Sequence, residues 1–310
     1  MSVENQPLSP EGTIKRAGSD LSSGNLRGAG LMAFGQMAFI GNATLMKLVS
    51  TDLTLFQSIF LRGLFTIVVL GGFAWYRREL LPEFKRGDGL VLSLRVAGEV
   101  GAALCYFMAL FNLPIANVTA IMLSVPLVIT LGAALLFGET VGWRRYGAIA
   151  LGFCGVLVIV RPGGEAFDVY SLWALGSMLS VAARDLATRR LSSGLPSVFV
   201  AFVTAVVVTL VSALLLPTMD WKPVTPGSLV LLVGAAGFIM LVHVSVIMAM
   251  RCGEVAFVTP FRYTLLVWAI VLGYLVFGEI PDRWTLLGGL IIVATGIYSL
   301  WRQRRSIRNV

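Results

Sequence analysis

Charge is scarce in this chain. Of its 310 residues, 13% are Asp, Glu, Lys or Arg, and histidine occurs once, at His243; a water-soluble domain carries about 25% charged residues. Cysteine is as sparse. Cys105, Cys154 and Cys252 lie singly in or beside apolar runs, so neither a disulfide framework nor a zinc site is indicated. No Gly-x4-Gly-Lys phosphate loop occurs, which argues against ATP-driven chemistry by this chain. No cofactor, metal site or catalytic residue is therefore expected. The polar stretch Met1–Asn25 lacks the apolar core of a signal peptide and is expected to be a disordered cytoplasmic tail. Asn42-Ala-Thr44 and Asn117-Val-Thr119 match the glycosylation pattern but fall within or against apolar runs, and they carry no weight.

What is abundant is apolar surface. Hydrophobic residues make up 57% of the chain, and the mean hydropathy is +0.86, so lipid is the expected solvent. Runs of about 20 apolar residues, long enough to cross about 30 Å of hydrocarbon, recur with short polar breaks. They predict an all-α integral membrane protein of ten helices, at Leu26–Lys47, Leu53–Trp75, Leu90–Phe111, Ile115–Phe137, Tyr146–Val160, Leu172–Arg189, Ser197–Leu216, Leu229–Met250, Val255–Phe277 and Leu286–Trp301. The fifth and tenth are short and rich in small residues (Gly147, Gly152, Gly155; Gly288, Gly289, Gly296), as suits close helix packing in a bilayer.

Orientation follows from the basic residues. With the N-terminus inside, cytoplasmic segments hold 16 of the 24 Lys and Arg: Lys15, Arg16, Arg27, Arg77, Arg78, Lys85, Arg86, Arg144, Arg145, Arg189, Arg190, Arg251, Arg302, Arg304, Arg305 and Arg308. Outer segments hold only Lys47, Arg161, Lys222 and Arg283. That bias places both termini in the cytoplasm. The net charge of +8 then reports topology, and nucleic acid is not an expected partner.

The chain also repeats itself. Sliding it by 140 positions pairs Val118-Thr119 with Val258-Thr259, Met108-Ala109 with Met248-Ala249, and Phe137-Gly138-Glu139 with Phe277-Gly278-Glu279; one extra loop residue later, Trp143 pairs with Trp284, Gly147 with Gly288 and Gly155 with Gly296. Two five-helix halves are expected, residues 26–161 and 162–301, followed by a basic cytoplasmic tail at 302–310. Because five is odd, the second half must enter the membrane inverted, an architecture that places a site near the midplane and permits alternating access around it.

Ten spans in two such halves, each closing its fourth helix with Phe-Gly-Glu, and Arg161-Pro162 after the fifth, resemble the drug/metabolite transporter superfamily, EamA type. The likeness runs from Leu26 to Trp301. "VAARDLATRRL" at Val181 and "TPFRYTLLVWAIVLGYLVFGEIPD" at Thr259 are similar to a branch that includes bacterial riboflavin importers and S-adenosylmethionine carriers. The resemblance implies a secondary carrier of a small metabolite in the bacterial inner membrane, a monomer or a homodimer.

Seven ionisable groups lie inside the spans, where each is costly and marks a pathway or a paired contact. They are Arg62, Arg95, Glu99, Arg184, Asp185, Arg262 and His243. Ser58, Arg62 and Thr66 share a face of the second helix, as do Ser180, Arg184 and Thr188 of the sixth. Arg95 and Glu99, at i and i+4, can pair along the third, either as a structural salt bridge or as a gate. Arg184 beside Asp185 offers the same choice. Arg62 and Arg262 have no evident partner on their own helices and are expected to contact cargo, together with Thr259, one turn from both Arg262 and Tyr263, and Tyr263 itself, with Pro260 loosening the backbone between them. His243 is a candidate proton site or an interior hydrogen-bonding group. Tyr106, Tyr263 and Trp268 offer rings for stacking or for packing.

Four embedded arginines against two carboxylates favour a cargo rich in oxygen acceptors. Riboflavin, a planar acceptor-rich ring with a polyol tail, fits this; organic anions and amino acids are alternatives, and the cationic S-adenosylmethionine fits less well. An integral membrane enzyme acting on lipid is the competing class, disfavoured because both carboxylates have an arginine beside them. One measurement checks the topology: a reporter active only outside the cytoplasm, fused after Val310, is expected to give no signal, and a strong signal there reverses the assignment.

Overall fold

The computed structural model describes residues 10–77, 85, 87–138, 142–163, 167–191, 195–252 and 254–308, and among these there is no strand. Helices are what a lipid-immersed backbone requires, since each N–H and C=O must be satisfied within its own segment. In order they are α1 (Pro10–Val49), α2 (Leu55–Arg77), α3 (Asp88–Asn112), α4 (Ile115–Met122), α5 (Val125–Phe137), α6 (Trp143–Val160), α7 (Tyr170–Thr188), α8 (Ser197–Leu215), α9 (Pro226–Cys252), α10 (Val255–Val258), α11 (Thr264–Phe277) and α12 (Arg283–Arg308). Among the described residues nine segments are long and apolar enough to cross a membrane, with α4–α5 counted together and the eighth running Thr259–Phe277. The sixth expected span, α7, has 19 residues, is less apolar, and packs along α3 and α5.

Three sequence expectations need correction. The first helix begins at Pro10 rather than after a disordered tail, because propagating an existing helix adds one hydrogen bond per residue without a new nucleation step. The last helix likewise runs on through the basic segment to Arg308. The fourth and ninth spans, expected as continuous helices, are both broken. The fourth changes at Leu123-Ser124, between α4 and α5. The ninth passes from α10 through a 3₁₀ turn, Thr259–Tyr263, into α11. Pro260, which has no N–H to give, accounts for the looser winding of the second break.

The packing pattern is unchanged when the two halves are exchanged. α1 lies along α9 as α7 lies along α3, while α2 pairs with α8 and α6 with α12. Small residues set the last contact. A Cβ on Gly155 would stand 2.9 Å from the Gly288 carbonyl oxygen, and one on Gly288 would stand 2.5 Å from that of Gly155. Large apolar side chains such as Val68, Leu135 and Leu214 remain more than 60% exposed, a belt that suits lipid. Gly155→Val and Gly288→Val should each force α6 and α12 apart and lower stability by about 1–3 kcal/mol. A reduced thermal midpoint in detergent, with Gly147→Val as the control because open space surrounds Gly147, is the expected result.

Candidate functional site

The repeated Phe-Gly-Glu punctuation has a structural cause. Gly138 (φ 66°) and Gly278 (φ 67°) both end their helices in the left-handed conformation, where only glycine is free of a Cβ penalty. The Glu279 N–H then donates to the Gly273 carbonyl at 3.0 Å. Its carboxylate reaches the first half: one oxygen accepts from Lys47 Nζ at 2.5 Å, and the other accepts from the Ile115 N–H at 3.0 Å, at the start of α4. Lys47 Nζ also donates to the Leu113 carbonyl at 2.6 Å and sits over the Phe277 ring. Glu139, the counterpart of Glu279, lies outside the described residues.

Further ties between the halves gather at the same end of the bundle. Arg161 pairs with Asp282, Thr285 with Asn117 at 3.0 Å, and Ser228 with Asp52 at 2.9 Å. The Gln57 amide exchanges two hydrogen bonds with the Lys222 backbone. A pocket of about 320 Å³ opens beside them, lined by Thr54, Leu55, Met108, Phe111, Met219 and Lys222 among others.

Deeper in, the predicted ionisable residues divide. Glu99 of α3 accepts from Arg184 Nη1 of α7 with both oxygens at 3.0 Å, and Arg95 Nη2 stands 3.8 Å from it. Arg184 Nε also donates to Asp185 at 2.8 Å, and Arg95 Nη1 donates to Thr204 Oγ1 of α8 at 2.6 Å. Two arginines and two carboxylates thus form one neutral cluster joining three helices. Gly98 and Gly101 make room for it, since Cβ atoms there would meet Arg184 and Ser180.

Arg62 stands apart. Among the described residues it has no carboxylate within ion-pair distance; it lies over the Phe107 ring at 5.0 Å and leaves its buried Nε without a partner. Asn42 Oδ1 can accept from it at a long 3.4 Å. In the opposite amide orientation Asn42 instead donates to the Ala235 carbonyl (3.1 Å) and accepts from the Ala43 N–H (3.3 Å); that orientation satisfies the amide twice and leaves Arg62 with no acceptor.

The residues predicted around the ninth span occupy one 3₁₀ turn without converging on Arg62. Arg262 is exposed and Thr259 half-buried. Tyr263 is buried, its hydroxyl lacks a partner, and its ring fills the space that Gly296 leaves on α12. Trp268 Nε1 donates to the Ala33 carbonyl at 3.1 Å, a tie between halves. The side chain of His243 lies outside the described residues. Reasoning from the sequence missed the Lys47–Glu279 contact, whose partners are 232 positions apart, and Phe107, which no helical spacing singled out.

A many-helix membrane bundle with broken spans and interior arginines belongs to the class of solute transporters rather than enzymes. The chain is a member of the EamA-like transporter family, which it matches twice, over residues 26–161 and 169–301. It is 25% identical over 288 residues to an S-adenosylmethionine uptake transporter of Rickettsia conorii, covering 92% of this chain and 96% of that one. It is 30% identical over 213 residues to a riboflavin transporter of Vibrio cholerae, covering 68% and 71%, and 28% identical over 232 residues to a pseudopaline exporter of Pseudomonas aeruginosa, covering 70% and 80%. A chain solved by crystallography shares the fold at a TM-score of 0.61 and 21% identity, over 91% of this chain and 98% of its own.

Removing one member of the interior cluster strands its partner. Glu99→Gln should lower stability by about 2–3 kcal/mol, somewhat less than a fully dehydrated pair would lose. A double-mutant cycle with Arg184→Gln, read by thermal unfolding in detergent, should show strong coupling; additive losses would mean that the contact contributes little.

Proposed function

We propose that this chain is a secondary carrier that works by alternating access, with two inverted halves rocking about a midplane site. The observation that carries the reading is the pair of matched helix breaks. In the first, Ser124 Oγ donates to the carbonyl three residues back, Ile121, at 2.6 Å; 140 positions on, Thr264 Oγ1 donates to the carbonyl three residues back, Phe261, at 2.7 Å. Two equivalent discontinuities, one per half, are what transporters use to place backbone and side-chain groups in a midplane site. With both termini in the cytoplasm, the end that holds Lys47 and Glu279 faces outward, and its ties between halves belong to an outward-closed state.

Riboflavin, moved inward, is the cargo this reading favours. Glu99 and Asp185 are already matched to Arg95 and Arg184, so the positive surplus rests on Arg62 and Arg262, which suits oxygen acceptors. In this reading Arg62, Arg262, Thr259 and Tyr263 contact the cargo, the Glu99 cluster gates, and His243 carries a proton. The riboflavin transporter of Vibrio cholerae adds support. A second reading, S-adenosylmethionine uptake, draws on the relatives matched over nearly their whole length, against an interior short of carboxylates for a sulfonium.

The scaffold is shared across cargoes, so the choice rests on few side chains. A bacterium unable to make riboflavin should be rescued by this gene at low external riboflavin, with labelled riboflavin accumulating in the cells. Membrane-inserted protein without rescue or accumulation would remove riboflavin and leave the carrier assignment standing.

A further inference from the structure

The unpaired groups around Arg62 describe a ligand. Tyr106, on α3 one residue before Phe107, is 8% exposed, and its hydroxyl has no hydrogen-bond partner. A buried polar group without a partner is destabilising unless something supplies the missing bond. Tyr106 and Arg62 both pack on the same ring, that of Phe107, at 5.4 Å and 5.0 Å. The Tyr106 ring meets Phe39 of α1 at 6.0 Å and Phe107 at 5.4 Å, tilted in the first case and edge-on in the second. Phe107 in turn meets Phe111 at 6.2 Å, and Phe111 lines the pocket near Lys222. An aromatic line therefore leads from that pocket to the guanidinium.

Each polar group here can donate. Arg62 has Nε and at least part of its fork free, and Tyr106 has its hydroxyl. Asn42, held by the α1 and α9 backbone in its doubly satisfied orientation, turns its amide nitrogen toward the same place. A cluster with more donors than acceptors, two of its buried groups unpartnered, selects a molecule that brings acceptors. Resting on the carrier reading above, we propose that Arg62 and Tyr106, with Asn42 positioned beside them, form a subsite for a pair of oxygen acceptors on one edge of the cargo, and that Phe39 and Phe107 wall the apolar part next to it. The pair is either the carbonyl edge of a planar ring or a carboxylate. Arg62 supplies the planar fork that takes two oxygens at once, and Tyr106 supplies a third bond whose loss the fork cannot replace. Arg62 and Tyr106 meet this edge of the cargo from the first half, with Asn42 steadied by the Ala235 carbonyl of α9, while Arg262, Thr259 and Tyr263 contact the cargo elsewhere.

The test measures equilibrium binding to the purified full-length chain in detergent with three probes: riboflavin, S-adenosylmethionine and decarboxylated S-adenosylmethionine. If riboflavin binds, Arg62→Gln should weaken it about tenfold or more and Tyr106→Phe about threefold to tenfold, as loss of one charged and one neutral hydrogen bond requires. Arg62→Lys should fall between Arg62→Gln and the parent chain. If S-adenosylmethionine binds instead, the same two variants should weaken it while leaving its decarboxylated analogue unchanged; the riboflavin assignment then fails and the subsite stands. Riboflavin binding that both variants leave intact keeps the riboflavin assignment and overturns the subsite. Binding of none of the probes by the parent chain also overturns it. Arg62→Lys keeps the charge and the stem over Phe107, so it guards against a variant that merely fails to fold.

Discussion

Charge inside hydrocarbon must be matched, and the most constrained part of this molecule is where that matching happens. An isolated guanidinium or carboxylate at the centre of a bilayer costs several kcal/mol, and removing one member of an established pair leaves the other stranded. Glu99 answers to both conditions. It accepts Arg184 from α7 with both oxygens and has Arg95 within 3.8 Å on its own helix, while Arg95 reaches across to Thr204 on α8. One carboxylate therefore fixes how three helices from two halves meet. Once it and Asp185 are used, no carboxylate among the described residues pairs with Arg62, and that part of the surplus lies over Phe107.

Backbone geometry is arranged around the same interior. Broken helices are tolerated in a membrane only where protein or a cavity can satisfy the freed groups. Both breaks meet this requirement in the same way, with a hydroxyl turned back onto a carbonyl three residues earlier. The breaks interrupt each span partway along its length, whereas the glycines of the two Phe-Gly-Glu motifs end the helices cleanly. Interrupted helices within the spans and sharp stops at their ends are the arrangement that the proposed rocking of two halves would use.

The parts legible from the sequence are those governed by one-dimensional rules. All-helical architecture and the approximate place of nine spans follow from apolar runs, whereas α7 is less apolar than the rest. The repeat follows from motif spacing, and the four groups of the interior cluster follow from charges in apolar context. Arg95 and Glu99 could be paired from their i, i+4 spacing because both partners share a helix. Arg184 with Glu99 could not, since helical spacing says nothing about a partner 85 positions away. The same blindness hid Lys47 and Glu279. Lys47 read as a loop charge that reports topology, and Glu279 as punctuation, although together they join the end of α1 to the end of α11. Arg262 illustrates the reverse difficulty. Its position beside Pro260 marked it as unusual, but whether a side chain on a 3₁₀ turn faces the interior depends on how the turn winds, and here it is exposed.

The ties at the Lys47 end are numerous but individually modest, and this bears on how such a bundle can switch. Arg161 and Asp282 are 27% and 42% exposed, the range in which an ion pair contributes about 0–1 kcal/mol. The hydrogen bonds of Asn117, Gln57 and Asp52 contribute about 0.5–1.5 kcal/mol each. Lys47 with Glu279 is the more enclosed of the two ion pairs, at 12% and 20%, so it carries the larger share of their contribution. Moving a two-state equilibrium from one side to the other takes about 5.5 kcal/mol, which is the scale these contacts reach together and which none reaches alone. A closure built this way holds one state without trapping it. If the carrier alternates as proposed, a cargo that supplies acceptors to Arg62 would have to bind one state about 10⁴-fold more tightly than the other to turn such an equilibrium fully over.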